Sequence, residues 1–163
     1  MKTLLLLRHA KSSWEDTGLR DFDRPLNERG LKAAPLIGRE MKRRKLQPEL
    51  IVSSTAQRAR QTIELVTKAA GLTAKVRFDE RIYDASARRL FEIVAEFEQE
   101  LDGVLMVGHN PGFEQLASLL TGENQQLKTA SLACIELGLE KWQAVAPGIG
   151  KLKWIVDPKS LAK

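Results

Sequence analysis

Short apolar runs alternate along the chain with stretches whose apolar residues return every three or four positions. Thr3–Leu7, Glu49–Ser53 and Val104–Val107 are dominated by apolar residues, as expected of parallel strands buried on both faces. Lys75–Phe78 is a further candidate strand. Helices are predicted from an Asn27 cap to about Lys45, and from about Thr55 to Ala70 with Gly71 as the stop. Another starts at Ser86 and carries Leu90, Ile93, Val94, Phe97 and Leu101 at helical spacing. Pro35 falls inside the first helix and predicts a kink or a delayed start, because it has no N–H to donate. Asn110 caps a fourth helix with Pro111 in its first position, and Gly122 closes it. Leu132–Leu137, Trp142–Ala146 and Leu152–Val156 read as a terminal group of strands. Ala10–Pro25 is polar and turn-rich, and a loop of that length in a small domain usually serves function.

Strands alternating with helices predict an α/β fold, a three-layer αβα sandwich around a mainly parallel sheet. With 163 residues, 43% of them hydrophobic, and no linker or repeat, a single domain over 1–163 is expected. No run approaches the roughly 18 apolar residues of a membrane span. The TLLLL segment is too short and wrongly flanked for a signal peptide, so a soluble, cytoplasmic protein is expected, with a monomer favoured. The lone Cys134 lies in an apolar stretch and reads as a small buried hydrophobe in a reducing compartment. The net charge of +5 is spread along the chain except at Lys42–Lys45, which reads as a solvated helix end. A basic strip interleaved with aromatics is missing, so nucleic acid is not the expected partner. The positive field suits an anionic substrate.

Candidate chemistry clusters at the ends of three strands. Arg8-His9 follows the first, Ser53-Ser54-Thr55 with Arg58 the second, and Gly108-His109-Asn110 the fourth. Ligands of open α/β sheets bind outside the carboxyl ends of the strands, so these clusters are expected to meet at one rim. The chain has two histidines, and both are here. Arginine guanidiniums match phosphate oxygens, and Arg58 in the first turn of a helix adds the helix dipole to the same anion site. Neutral imidazole is a competent nucleophile toward phosphorus. Residue chemistry thus predicts an anion pocket with a candidate nucleophile.

Leu7-Arg8-His9-Ala10-Lys11-Ser12 resembles the opening motif of the histidine phosphatase (phosphoglycerate mutase-like) superfamily. Pro25-Leu26-Asn27-Glu28-Arg29-Gly30, the stretch Ser53–Thr62, and Val107-Gly108-His109-Asn110-Pro111 match in order, so the resemblance runs over about residues 3–137. The short length and the Arg-His-Ala-Lys opening are most similar to the SixA-type phosphohistidine phosphatase branch. The resemblance implies a phosphoglycerate mutase-like fold and hydrolysis through a phosphohistidine on His9. It also implies phosphoryl binding by Arg8, Arg58 and His109, with Ser12 and Asn110 lining the pocket, and neither metal nor other cofactor. The superfamily's acid falls at Glu80 first or Asp84 second, and an exposed loop carboxylate fits the same place. The chain departs from the pattern in having Ala10 where most members have Gly, and it lacks the long insertion that covers mutase active sites.

A phosphohistidine protein is the substrate implied first, and a small phosphate ester the alternative. A cysteine-based phosphatase would need Arg six residues after Cys134, where Glu140 stands. Pro147–Leu152 lacks the first Gly and the hydroxyl of a P-loop. His9, His109, Asp21 and Asp23 offer metal ligands in principle, but no close-spaced pair, and the arginines would repel a cation. A non-catalytic phosphate- or phosphopeptide-binding module would need only the arginines.

Overall fold

The computed structural model describes residues 1–161. Six strands form one sheet: β1 (Lys2–Arg8), β2 (Leu50–Ser53), β3 (Lys75–Phe78), β4 (Gly103–Gly108), β5 (Leu132–Leu137) and β6 (Gly150–Val156). Their order is β3-β2-β4-β1-β5-β6; β3, β2, β4 and β1 are mutually parallel, β5 is antiparallel to β1, and β6 is antiparallel to β5. This is the mainly parallel α/β sandwich that the alternation predicts.

The apolar runs explain the layering. Alternate residues of a strand face opposite sides, so Leu4, Leu6, Val104 and Met106 enter one core while Leu5, Leu7, Leu105 and Val107 enter the other. Helices α1 (Glu28–Arg43) and α2 (Gln57–Ala70) cover the second face through Ile37, Met41, Ile63 and Val66. Helices α3 (Ala87–Ala95) and α4 (Gly112–Thr121) cover the first through Leu90, Ile93, Phe113 and Leu116. A short α5 (Pro158–Leu161) follows β6. Among the described residues, no helix is long and apolar enough to cross a membrane.

Local signals read well. The Asn27 side chain accepts from the Gly30 N–H at 2.8 Å and Ser86 accepts from Arg89 N–H, each capping its helix. Gly71 and Gly122 end α2 and α4 at φ 68° and 74°, a left-handed conformation glycine adopts without steric cost.

Five expectations change. Helix α1 begins at Glu28 and is continuous through Pro35, so no delayed start occurs. Helix α3 stops at Ala95 rather than Leu101. Phe97 keeps its burial from a following turn, edge-on to Trp142 at 5.2 Å. Trp142–Ala144 is a 3-10 turn, not a strand, and its indole N–H donates to Leu101 O at 2.8 Å. Pro111 lies one residue before the first helical position of α4, and Asn110 Oδ1 accepts from Glu114 N–H at 3.3 Å. The basic end of α1 is only partly solvated. Arg43 and Arg44 both bind the buried Glu40 carboxylate, which Arg43 first of all lowers to about 2, and Arg44 stacks on Trp154.

Candidate active site

Strand register assembles the cluster. Arg8 pairs with Gly108 across the parallel β1–β4 ladder, so the residues that follow, His9 and His109, leave the sheet side by side. Their ring centroids are 5.0 Å apart. Ser53 pairs with Val107, which brings Ser54 to His109, its hydroxyl 2.7 Å from Nε2.

His9 is 8% exposed, and its Nδ1 lies 2.7 Å from Ala10 O. A carbonyl oxygen only accepts, so Nδ1 carries the proton and Nε2 carries the lone pair. Arg58 Nε donates toward that Nε2 at 3.4 Å from the first turn of α2. Thr62, also on α2, joins the two: its hydroxyl accepts from Ala10 N–H at 3.0 Å and donates to Arg58 O at 2.7 Å. Burial first, then the charges of Arg58, Arg8 and Arg24, pulls His9 down to about 4 against the hydrogen bond to Ala10. Burial and the neighbouring His9 and Arg58 pull His109 down to about 3, and its Nδ1 is buried without a partner among the described residues. Both rings are therefore neutral at pH 7.

Arg8 Nη1 donates to Leu127 O at 3.0 Å, while its Nε is buried without a described partner. A cavity of about 200 Å³ is lined by Asp21, Arg58, Tyr83, Asp84, His109 and Asn110 among others. A second cleft of about 340 Å³ contains Arg8, Ser12 and Arg24. Ser12 Oγ accepts from Arg24 Nη1 at 2.7 Å, and Asn110 donates to Leu127 O at 2.8 Å, so both sit on the walls through fixed contacts. Glu80 is exposed, lines neither cavity and has no side-chain hydrogen bond among the described residues. Asp84 stands on the rim with φ 54°.

Arg24 and Tyr83 were not legible as site residues, and Asp21 was legible only as a metal ligand in principle. Asp21 O and Oδ2 accept from Arg58 Nη1 and Nη2 at 2.7 and 3.0 Å, its Oδ1 accepts from Arg24, and Tyr83 OH donates to Oδ2 at 2.6 Å. The Tyr83 hydroxyl, then Arg24 and Arg58, hold the Asp21 carboxyl far below the usual range. The only local signal was the Asp21–Arg24 spacing, since Tyr83 arrives from beyond β3. No three His, Cys, Asp or Glu side chains among the described residues come together to hold a metal ion.

Residues 4–102 match the family model of the histidine phosphatase superfamily (branch 1). An uncharacterised chloroplastic protein of Arabidopsis thaliana is 33% identical over 98% of this chain and 79% of its own length. The structure of a candidate phosphohistidine phosphatase SixA from Agrobacterium tumefaciens superposes with a TM-score of 0.84 at 30% identity, over 96% of this chain and 98% of that one. A mycobacterial glucosyl-3-phosphoglycerate phosphatase shares the fold with a TM-score of 0.72 at 21% identity, over 94% and 98% of the two chains.

Proposed function

Because the chain belongs to the histidine phosphatase superfamily, branch 1, and is of SixA type, we propose that it hydrolyses phosphohistidine on proteins through a covalent phosphohistidine on His9, without a metal. The observation that carries this reading is the buried His9 ring, with Nδ1 tied to Ala10 O and the Nε2 lone pair turned toward Arg58.

In the first step Nε2 of His9 attacks phosphorus and the substrate's P–N bond breaks. A phosphohistidine ring that carries a proton on its other nitrogen leaves as neutral imidazole, so no protein acid is required. His9 becomes the mirror image of that substrate, with Nδ1–H still donating to Ala10 O. In the second step water attacks phosphorus, the P–Nε2 bond breaks, both water protons stay with the phosphate, and His9 leaves as the same neutral tautomer. Arg8 and Arg58 supply fixed charge to the equatorial oxygens, the main service a protein renders to phosphoryl transfer. With Ser54 donating to Nε2, His109 offers Nδ1–H to another oxygen. An exposed Glu80 is compatible with this chemistry. An ester's alkoxide would need an acid, and Asp84, which lines the cavity with His109, is the carboxylate proposed for that role on a small phosphate ester.

The test is phosphate release and intact mass with a phosphohistidine protein in excess EDTA. Wild type is expected to release phosphate with a transient mass gain on His9, and His9→Ala to do neither while keeping its fold. Near-normal turnover by His9→Ala refutes the covalent role, and loss of activity in EDTA refutes metal independence.

A further inference from the structure

We propose, resting on the reading of a phosphorylated protein as substrate, that a basic trough running away from Arg8 docks an acidic polypeptide segment flanking the phosphorylated side chain. The cleft of about 340 Å³ beside Arg8 shares Lys11 and Thr129 with a neighbouring pocket of about 210 Å³. Together they reach from the rim of β1 to the start of α5 at Pro158.

The trough's chemistry is one-sided. Arg8, Lys11 and Arg24 line the near cleft, and Arg29, Lys128 and Lys159 line the far pocket, against the carboxylates Glu15 and Asp157. Lys11, Arg29, Lys128 and Lys159 are exposed and form no salt bridge with a described residue. Elsewhere, by contrast, Arg77 and Arg81 are satisfied by Glu98, Asp79 and Glu96. Uncompensated like charges on two contiguous concavities favour an anionic partner and steer it in.

Size and shape favour a chain over a single group. The phosphoryl group is accounted for by the arginines around His9, and the far pocket lies beyond it. Trp14 is 73% exposed on the wall of the near cleft, with the Arg24 guanidinium stacked 3.5 Å from its ring centroid. An exposed tryptophan braced by arginine is the residue pairing that anchors protein interfaces. The trough is also coupled to the reaction centre. Leu127 O accepts from both Arg8 and Asn110, so the segment bearing Lys128 and Thr129 is tied to the phosphoryl-binding arginine.

The experiment compares wild type with Arg29→Glu/Lys128→Glu, both exposed positions outside the reaction centre. Three probes are used: phosphoimidazole, a phosphohistidine peptide with an Asp/Glu-rich flank, and the same peptide with a neutral flank. The double variant is expected to keep its phosphoimidazole rate within about twofold and to lose roughly tenfold in kcat/KM on the acidic peptide alone. That preference shrinks in high salt, where charge contacts are screened. Binding of the unphosphorylated acidic peptide, followed by tryptophan fluorescence, reads docking independently of turnover and is expected to weaken in the double variant. Equal rates on the two flanks, equal loss on all substrates, or acidic-peptide binding unchanged by the double substitution overturns the trough. Failure to release phosphate from any probe, with charge-dependent peptide binding intact, overturns the hydrolytic reading and leaves the trough standing.

Discussion

At the residue scale, two imidazoles and two arginines can share a small rim because the imidazoles stay neutral. Protonating either would place a third positive charge beside Arg8 and Arg58, and burial already disfavours it. A pH dependence of stability follows. Below about pH 6.5 the unfolded chain takes up protons that the folded chain refuses, so stability falls with pH. The slope reaches up to about 1.4 kcal/mol per pH unit for each histidine and persists until the folded values of about 4 and 3 are passed. Asp21 and Glu40, whose carboxyls are lowered from ordinary values near 4, add their own loss only below that range. Urea midpoints at pH 7.5, 6 and 5 measure this. The wild-type slope should flatten in His109→Gln, and equal midpoints at all three values would show that the rings are not held neutral. The same preorganised charge predicts that Arg8→Ala and Arg58→Ala each lose on the order of 10²–10³ in kcat/KM. A loss under tenfold in steady-state assays would remove that arginine from the phosphoryl site.

At the element scale, the site depends on how closely α1 and α2 approach. A Cβ built on Gly38 of α1 would lie 2.6 Å from both Ala69 Cβ and Val66 O of α2. The absence of a side chain there lets α2 sit where Arg58 and Thr62 reach the segment after β1. Gly38→Val should therefore force the helices apart and cost about 1–3 kcal/mol in urea unfolding, as overpacking does. Wild-type stability in this variant would mean that the helix pair yields easily. Helix caps were readable from sequence because Asn27 and Ser86 act on N–H groups three residues away. The end of α3 was not. Phe97 and Leu101 keep the apolar spacing of a helix, yet their burial comes from Trp142 and its turn, some forty residues on.

At the scale of the whole molecule, the sheet belongs to both cores at once, each strand giving alternate residues to either side. Neither layer can be dissolved without exposing the other, so one cooperative unit over the described residues 1–161 is expected. Trp142 lies in one core and Trp154 packs against the other, which makes the prediction measurable. Tryptophan fluorescence and far-UV circular dichroism should give coincident urea transitions, whereas separated midpoints would divide the chain into independent parts.

The α/β class, most helix and strand positions, the strand-end placement of Arg8, His9 and His109, and the first-turn placement of Arg58 were legible in the amino-acid order. Those depend on short-range rules: apolar runs, caps, stops and the residue that follows a strand. Tertiary structure alone decided the pairing of Arg8 with Gly108, which sets the two histidines side by side. It also decided the binding of Arg58 and Tyr83 to Asp21, from 37 and 62 residues away. The basic trough, too, exists only where segments distant in sequence meet. Register, hydrogen-bond partners and local fields are set by groups tens of residues apart, and no periodicity along one strand or helix encodes them.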